Sequence, residues 1–422
     1  MKKIILLSCM AGAFLLSSCS YDETVESYKG NGISFRTFTG QVTKATDIVD
    51  PSSSSGTKLD GFSVYAFGDG TNNIYDFTDT YTNSGTAWGW QTGERYWPGD
   101  DTKLRFYAYN ADDMSSGSVT ATNIARNGSN NANIDATLTY RPATTAGEQT
   151  DLLVAYTEGQ NSTTTGAGLE INFRHTLAKI TVNAKNSNTA AYRVEVGGVY
   201  LRRFKTDGTL TMPSTSTSTA TLAQSNWSFP STENTTGTGE YKSMSANGGT
   251  KLTDSYQTIS GSSSSPNPFM VIPQNTTAWN EALATDTEQD NNGAYFSILC
   301  RIYQLNPGDD AQTGGKLIFP RPNTTGGNTT APDTGDYGMA SVGIGANWEP
   351  GKHYTYNIEF FGNNGGAGIT DPQPDPVDPA DPVDPEDPEV PVVGKPWRFN
   401  VTVSGWEAAN PQPGDVPMGP TN

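Results

Sequence analysis

Few groups in this 422-residue chain could carry out chemistry of their own. The candidates are two imidazoles (His175 and His353), three thiols (Cys9, Cys19 and Cys300) and the hydroxyl–ammonium pair of Ser55-x-x-Lys58. A nucleophile or a metal works only beside a base or co-ligands at fixed spacing. The chain has no metal-spaced histidine pair, no Gly-x-Ser-x-Gly elbow and no glycine-rich phosphate loop. Ser55-x-x-Lys58 stands alone in a serine-rich stretch. His175 could be a base or ligand, but with His353 as the one other histidine a structural role is expected. Cys300 lies where Phe296, Ile298, Cys300 and Ile302 alternate with Tyr295, Ser297, Leu299 and Arg301, as a small core residue would. The expectation is a protein that is not an enzyme and needs no metal or other cofactor.

Cys19 is set apart by what precedes it. Lys2, Lys3 and a largely apolar stretch from Ile4 to Leu16 form an export signal, too short to persist as a membrane-spanning helix. Leu16-Ser17-Ser18-Cys19 resembles the lipobox of bacterial lipoproteins, in which the cysteine becomes the acylated first residue. That implies a signal peptide over 1–18, lipidation at Cys19 and an outer-membrane lipoprotein, with polar residues 19–32 as a tether. Each buried methylene is worth roughly 0.8 kcal/mol, so two or three acyl chains make a lasting anchor. The alternative is a soluble secreted protein with an incidental Cys19. With Cys9 removed and Cys19 acylated, Cys300 has no partner and no disulfide is expected.

Composition indicates what must position such residues. Charged side chains make up 17% of the chain, below the roughly 25% of ordinary soluble proteins, and connecting segments are rich in Gly, Ser, Thr and Asn. Removing Lys2 and Lys3 from 26 basic residues leaves 24 against 44 acidic ones, a formal charge of −20 that disfavours nucleic acid as a partner. Short alternating runs between turn clusters predict an all-β chain. Strands are expected at 33–38, 61–67, 103–109, 151–156, 169–173 and 177–182, then at 192–201, 209–212, 269–272, 295–303, 316–319 and 354–361. The fold class is thus two Greek-key-type β-sandwich domains in tandem, over 33–187 and 188–370, with the boundary in the small-residue stretch Ala184–Ala191. Odd positions are apolar in Leu169–Phe173 and even ones in Ala178–Val182, so the phase flips near His175. Such a flip requires a bulge, a turn or a strand that crosses between packed sheets.

The tail has two parts. Asp371–Pro391 holds eight prolines and eight acidic residues in 21 positions. Polyproline II and like-charge repulsion make residues 371–394 a stiff spacer reaching roughly 65 Å at about 3.1 Å per residue. Beyond it, Trp397, Phe399, Val401 and Val403 alternate with Arg398, Asn400, Thr402 and Ser404, ahead of Trp406. A lone strand cannot satisfy its backbone, so the 395–422 segment must join a sheet in its own chain or another's.

The lipobox, the first strand Ile33-Ser34-Phe35 ahead of Thr43-Lys44-Ala45, the segment from Phe173 to Val182, and Trp348–Ile358 before a detached strand together resemble the fimbrillin family of type V pili. The resemblance implies a pilus subunit displayed as a lipoprotein, cut after a basic residue and assembled with other pilus subunits by β-strand donation. In this chain Lys44 matches the cut position, Arg36 is the alternative, and Ile33, Phe35 and Phe38 correspond to the removable plug. Trp397, Phe399, Val401, Val403 and Trp406 correspond to the donor strand. The other reading is a non-polymerising surface lipoprotein that binds glycans or host ligands, with Trp88, Trp90, Tyr96 and Trp97 as an aromatic platform.

Overall fold

The computed structural model describes residues 32–39, 61–70, 73–83, 88–99, 101–110, 119–127, 133–162, 168–212, 222–230, 239–245, 249–262, 265–280, 293–320, 337–363, 365–371, 392–393 and 398–405. Among these, strands dominate, interrupted by three-residue 3-10 turns such as Asn73–Tyr75 and Ala146–Glu148. The all-β expectation holds, and each of the twelve expected runs contributes a strand. Beside the isolated Ala278–Ala294 bridge, Trp279 is buried.

The first sheet has seven strands, in the spatial order Phe35–Thr39, Leu169–His175, Leu153–Gln160, Leu104–Asn110, Gly61–Gly68, Phe77–Asn83 and Trp88–Trp90. Both its faces are buried. Phe62, Val64, Phe106, Ile171 and Phe173 fill one core, while Tyr107, Tyr109 and Val154 face another. Period-two alternation carries this division, since neighbouring side chains such as Phe106 and Tyr107 point to opposite faces.

A four-stranded sheet covers the second of these faces. It pairs Val119–Arg126 and Ile134–Tyr140 with Gly208–Thr211 and Trp227–Ser228. Leu138 stands opposite Leu210, and both are fully buried with Tyr140, Trp227 and Ile272. Strands from both sides of residue 188 therefore share one sheet and one core.

The later residues build a sandwich. One sheet runs Gly239–Met244, Tyr192–Phe204, Tyr295–Gln304, Gly338–Gly343 and Ile369–Thr370; the other runs Gln257–Thr258, Ala178–Asn186, Lys352–Phe360 and Arg398–Gly405. Val182, Val199, Phe296, Ile298, Cys300, Trp348 and Ile358 lie in the core between them. Cys300 is fully buried, which pushes its thiol pKa well up and leaves it inert.

The phase flip at His175 is a change of sheet. Leu169–His175 belongs to the first sheet, whereas Ala178–Asn186 runs parallel to Lys352–Phe360 in the sandwich. The crossing falls at Thr176 and Leu177, upstream of Ala184–Ala191, because Ala178–Asn186 is already committed by eight residue pairs to the later sheet. Both corner residues are buried. The Thr176 N–H and hydroxyl donate to the Leu152 carbonyl at 3.0 and 2.8 Å, and the Trp227 indole N–H donates to the Thr176 carbonyl at 3.0 Å.

Candidate functional site

The first strand sits at the edge of the seven-stranded sheet yet touches the opposite edge. It runs parallel to Leu169–His175, with Phe35 opposite Leu169, Thr37 opposite Ile171 and Thr39 opposite Phe173. The Leu169 N–H donates to the Ser34 carbonyl at 2.8 Å. On the other side, the Ile33 N–H donates to the Arg95 carbonyl at 2.7 Å, and the Trp90 indole N–H donates to the Ile33 carbonyl at 2.7 Å. The sheet is thus curled until Ile33 and Phe35 close its seam.

Phe35 is the centre of that closure. Its ring meets Phe62, Tyr81, Trp90 and Phe106 edge-on, with centroids 5.2–5.6 Å away. Edge-to-face contacts of this kind add about 0.5–1.5 kcal/mol each beyond the burial itself. Ile33 is 3% exposed and Phe35 9%. Phe38, grouped with them in the expected plug, is paired with Asn172 and so lies in the opposite phase from Phe35. Arg36 is paired with Glu170 inside the strand.

The segment that latches Ile33 is itself braced. Arg95 donates through Nε and Nη2 to Asp79 Oδ2 at 2.9 and 2.7 Å, the Thr92 hydroxyl donates to the same oxygen at 2.5 Å, and the Thr80 N–H donates to Oδ1 at 2.8 Å. The aromatic segment packs inward here. Trp88 stacks on Tyr81 at 5.7 Å, Trp90 packs edge-on against Phe35, Phe77 and Tyr81, and Trp97 is buried against Phe106. Tyr96 keeps 39% exposure. An open depression of about 510 Å³ nearby is lined by Phe67, Asp76, Ile124 and Arg126. Its guanidinium is already bound to Asp76 and to the Gly68 and Gly70 carbonyls.

The last strand does not hang free. Arg398–Gly405 pairs antiparallel with Lys352–Phe360, from Glu359 opposite Arg398 to Lys352 opposite Gly405. Its backbone is satisfied on one side and it forms the edge of that sheet. Phe399, Val401 and Val403 are in phase with the buried Ile358, Tyr356 and Tyr354, on the core side of the sheet. Even so, Val401 is 40% and Val403 53% exposed. The pairing thus leaves Val401 and Val403 uncovered.

The residues described at the two ends of the spacer are both anchored. Asp371 is fully buried, and its N–H donates to the Met339 carbonyl at 3.3 Å. At the far end, the Val392 N–H donates to the Gly368 carbonyl at 3.0 Å, and the Ala367 N–H donates to the Val393 carbonyl at 3.1 Å. The described residues that flank 372–391 therefore lie in one part of the sandwich. Residues 372–391, expected from composition to be a stiff spacer, lie outside the described residues.

Both histidines are structural. His175 Nδ1 is bonded to Asp151 Oδ2 at the sheet-crossing corner, with both side chains largely buried. His353 stands between Lys179 and Ser404 in neighbouring strands, its Nε2 2.9 Å from Thr181 Oγ1. Burial, and then the nearby Lys179 charge, push its pKa down to about 4 from an ordinary 6.5. Between those values the unfolded chain takes up a proton that the fold refuses, so this contribution to stability is complete above pH 6.5 and declines as pH falls towards 4. The expected result is that His353→Gln flattens the pH dependence of urea unfolding across that interval. Equal slopes for the two proteins would refute it.

Among the described residues, no three His, Cys, Asp or Glu side chains converge on a metal-sized site. Cys19, Lys44, Trp397 and Trp406 lie outside the described residues. Sequence reasoning missed Tyr81, Phe106, Trp90 and Arg95 as the walls and latch of the first strand. The clustering of Trp88, Trp90, Tyr96 and Trp97 was the available signal, but nothing in it said whether the rings face water or core.

The search of curated proteins finds no match. Among solved structures, a fimbrial protein from Bacteroides vulgatus shares the fold at TM-score 0.52 and 15% identity, covering 89% of this chain and 99% of its own. Candidate cell adhesion proteins from Parabacteroides distasonis and Bacteroides ovatus align less well, at TM-scores 0.42 and 0.38, with 11% and 13% identity. Those alignments cover 90% and 78% of this chain, and 97% and 92% of theirs. A fimbrillin-like family model matches residues 43–371, most of the length over which the sheets described above are built, and the chain belongs to the fimbrillin-like family.

Proposed function

We propose that this protein is a structural subunit of a cell-surface pilus that supports adhesion, exported as an outer-membrane lipoprotein through Cys19 and assembled by β-strand donation. The observation that carries the reading is the last strand, which is hydrogen-bonded along a sheet edge while Val401 and Val403 stay exposed. A strand resting there can leave at the cost of one ladder and gain both a ladder and a buried stripe elsewhere. Burying four large apolar side chains is worth roughly 6–12 kcal/mol before entropy costs, enough for a durable non-covalent junction. The receiving groove is the one Ile33 and Phe35 fill until cleavage at Lys44 frees the first strand. Arg36, inside the paired strand, is the poorer site.

The test is to treat the mature chain, with and without residues 393–422, with a trypsin-like protease and look for a heat-sensitive ladder of multimers. The full chain should form the ladder and the truncated chain should not. A ladder that survives the truncation, or a full chain that stays monomeric after the cut, would sink the assignment.

A further inference from the structure

We propose that the incoming strand enters the vacated groove parallel to Leu169–His175, in the register of the strand it replaces, with Phe399 of one copy taking the place of Phe35 in the next. This rests on the strand-donation reading and adds to it a direction, a register and a key residue.

The groove has one position built for a ring. Phe62, Tyr81, Trp90 and Phe106 surround Phe35; Ile33, two residues before it, is also buried, and the ladder sets positions 35, 37 and 39 opposite Leu169, Ile171 and Phe173. The donor stripe reads Lys395, Trp397, Phe399, Val401, Val403, Gly405. Set parallel with Phe399 on Phe35, it puts Trp397 on Ile33, Val401 on Thr37 and Val403 on Thr39. Every core-side position is then apolar, and the bulk of Trp397 falls at the groove mouth beside exposed Gly32. Trp397 can also offer its N–H to Arg95, as Ile33 does, while Pro396 falls one residue before it.

The other alignments each fail at a named place. Sliding the parallel strand so that Trp397 meets the Phe35 socket brings Lys395 onto the position of Ile33, where an ammonium would be buried without a partner. Sliding it the other way gives the socket Val401 and leaves a cavity among four rings. An antiparallel strand with Phe399 in the socket sets Lys395 beside buried Phe173, and one with Val401 there leaves the same cavity. The parallel alignment also gives the exchange a direction. Positions 37 and 39, paired with Ile171 and Phe173, are threonine in the resident strand and become valine.

Position 172 reads the register from outside the core. Asn172 is exposed and pairs with position 38 of the resident strand. In the proposed alignment Thr402 comes to that position; in the two antiparallel ones Pro396 or Arg398 does. Directly paired strand residues are close enough for a disulfide. The experiment uses the mature chain from Ser20 carrying Cys300→Ser, cut at Lys44. Asn172→Cys subunits are mixed in turn with Thr402→Cys, Arg398→Cys or Pro396→Cys subunits and oxidised. The 172–402 pair should give at least tenfold more covalent dimer than either other pair. A ladder whose dominant cross-link is at 396 or 398, or at none of the three, overturns the register alone. Absence of the ladder from the cysteine-free parent overturns strand donation and this proposal with it.

Discussion

Phe35→Ala should destabilise the uncut protein by about 3–5 kcal/mol in denaturant unfolding, as full loss of a buried phenylalanine does when the surroundings cannot collapse. They cannot collapse here, because Phe62, Tyr81, Trp90 and Phe106 are each fixed by their own strands and meet the ring from four sides. The loss also has a local signature. Without the ring, the seam between the Leu169 edge and the Trp88–Arg95 segment is held by the Ile33 hydrogen bonds alone, so the Ile33 and Leu169 amides should exchange with solvent far faster than those of Val64 or Phe106. Phe38→Ala is the control. It lies in the opposite phase, opposite Asn172, and should cost less than about 1 kcal/mol. Equal losses for the two would mean that the first strand is not seated in the register described.

Phe35 and Phe38 also show how far a sequence of this kind can be read. Alternation identified strands such as Ala178–Asn186 but not the equally regular Ile134–Tyr140, and it exposed the sheet crossing at Thr176 through the change of phase alone. It was silent on Phe77–Asn83, Val119–Arg126 and Gly338–Gly343, whose Thr, Asn, Ala and Gly residues resemble turns and become strands because neighbouring edges supply their hydrogen bonds. Both faces of Tyr295–Gln304 are buried, Tyr295, Ser297 and Leu299 as well as Phe296, Ile298 and Cys300. The Val119–Arg126 omission hid the four-stranded sheet, and with it the core shared across residue 188. The candidate site was legible in its donor half, where the stripe is clean. Its acceptor half was not, because a socket is made by residues distant in sequence: Phe35, Phe62, Tyr81, Trp90 and Phe106 come from five strands or their ends.

The second large effect lies on the Tyr295 and Ser297 face of that strand. Asp371 is fully buried, accepts hydrogen bonds from the Ser297 hydroxyl at 2.5 Å and the Tyr295 hydroxyl at 3.1 Å, and lies 3.3 Å from Arg202 Nη1. Ser297 in turn is 2.6 Å from the Ser341 hydroxyl, so one carboxylate joins three strands of the sheet. Glu240 also bridges Arg202 at 2.9 Å, but from a partly exposed position. Asp371→Ala removes the buried carboxylate and leaves the guanidinium in a dry site with its remaining carboxylate, Glu240, at the rim, which costs about 3–5 kcal/mol when a buried pair is broken from one side. Asp371→Asn keeps the shape and an acceptor for the hydroxyls while deleting the charge, so its loss should fall between Ala and wild type. A replacement that merely emptied space would rank the two together. The consequence reaches the assembly strand, since Ile369–Asp371 is the root from which the proline-rich segment departs and Gly368 is where Val392 returns. If Asp371 holds that root, its alanine variant should speed amide exchange at Ala367 and Val392 more than at Val199 or Ile298 in the same sandwich. Uniform acceleration across all four would show that the carboxylate supports the sandwich as a whole and not the launch point of the last strand.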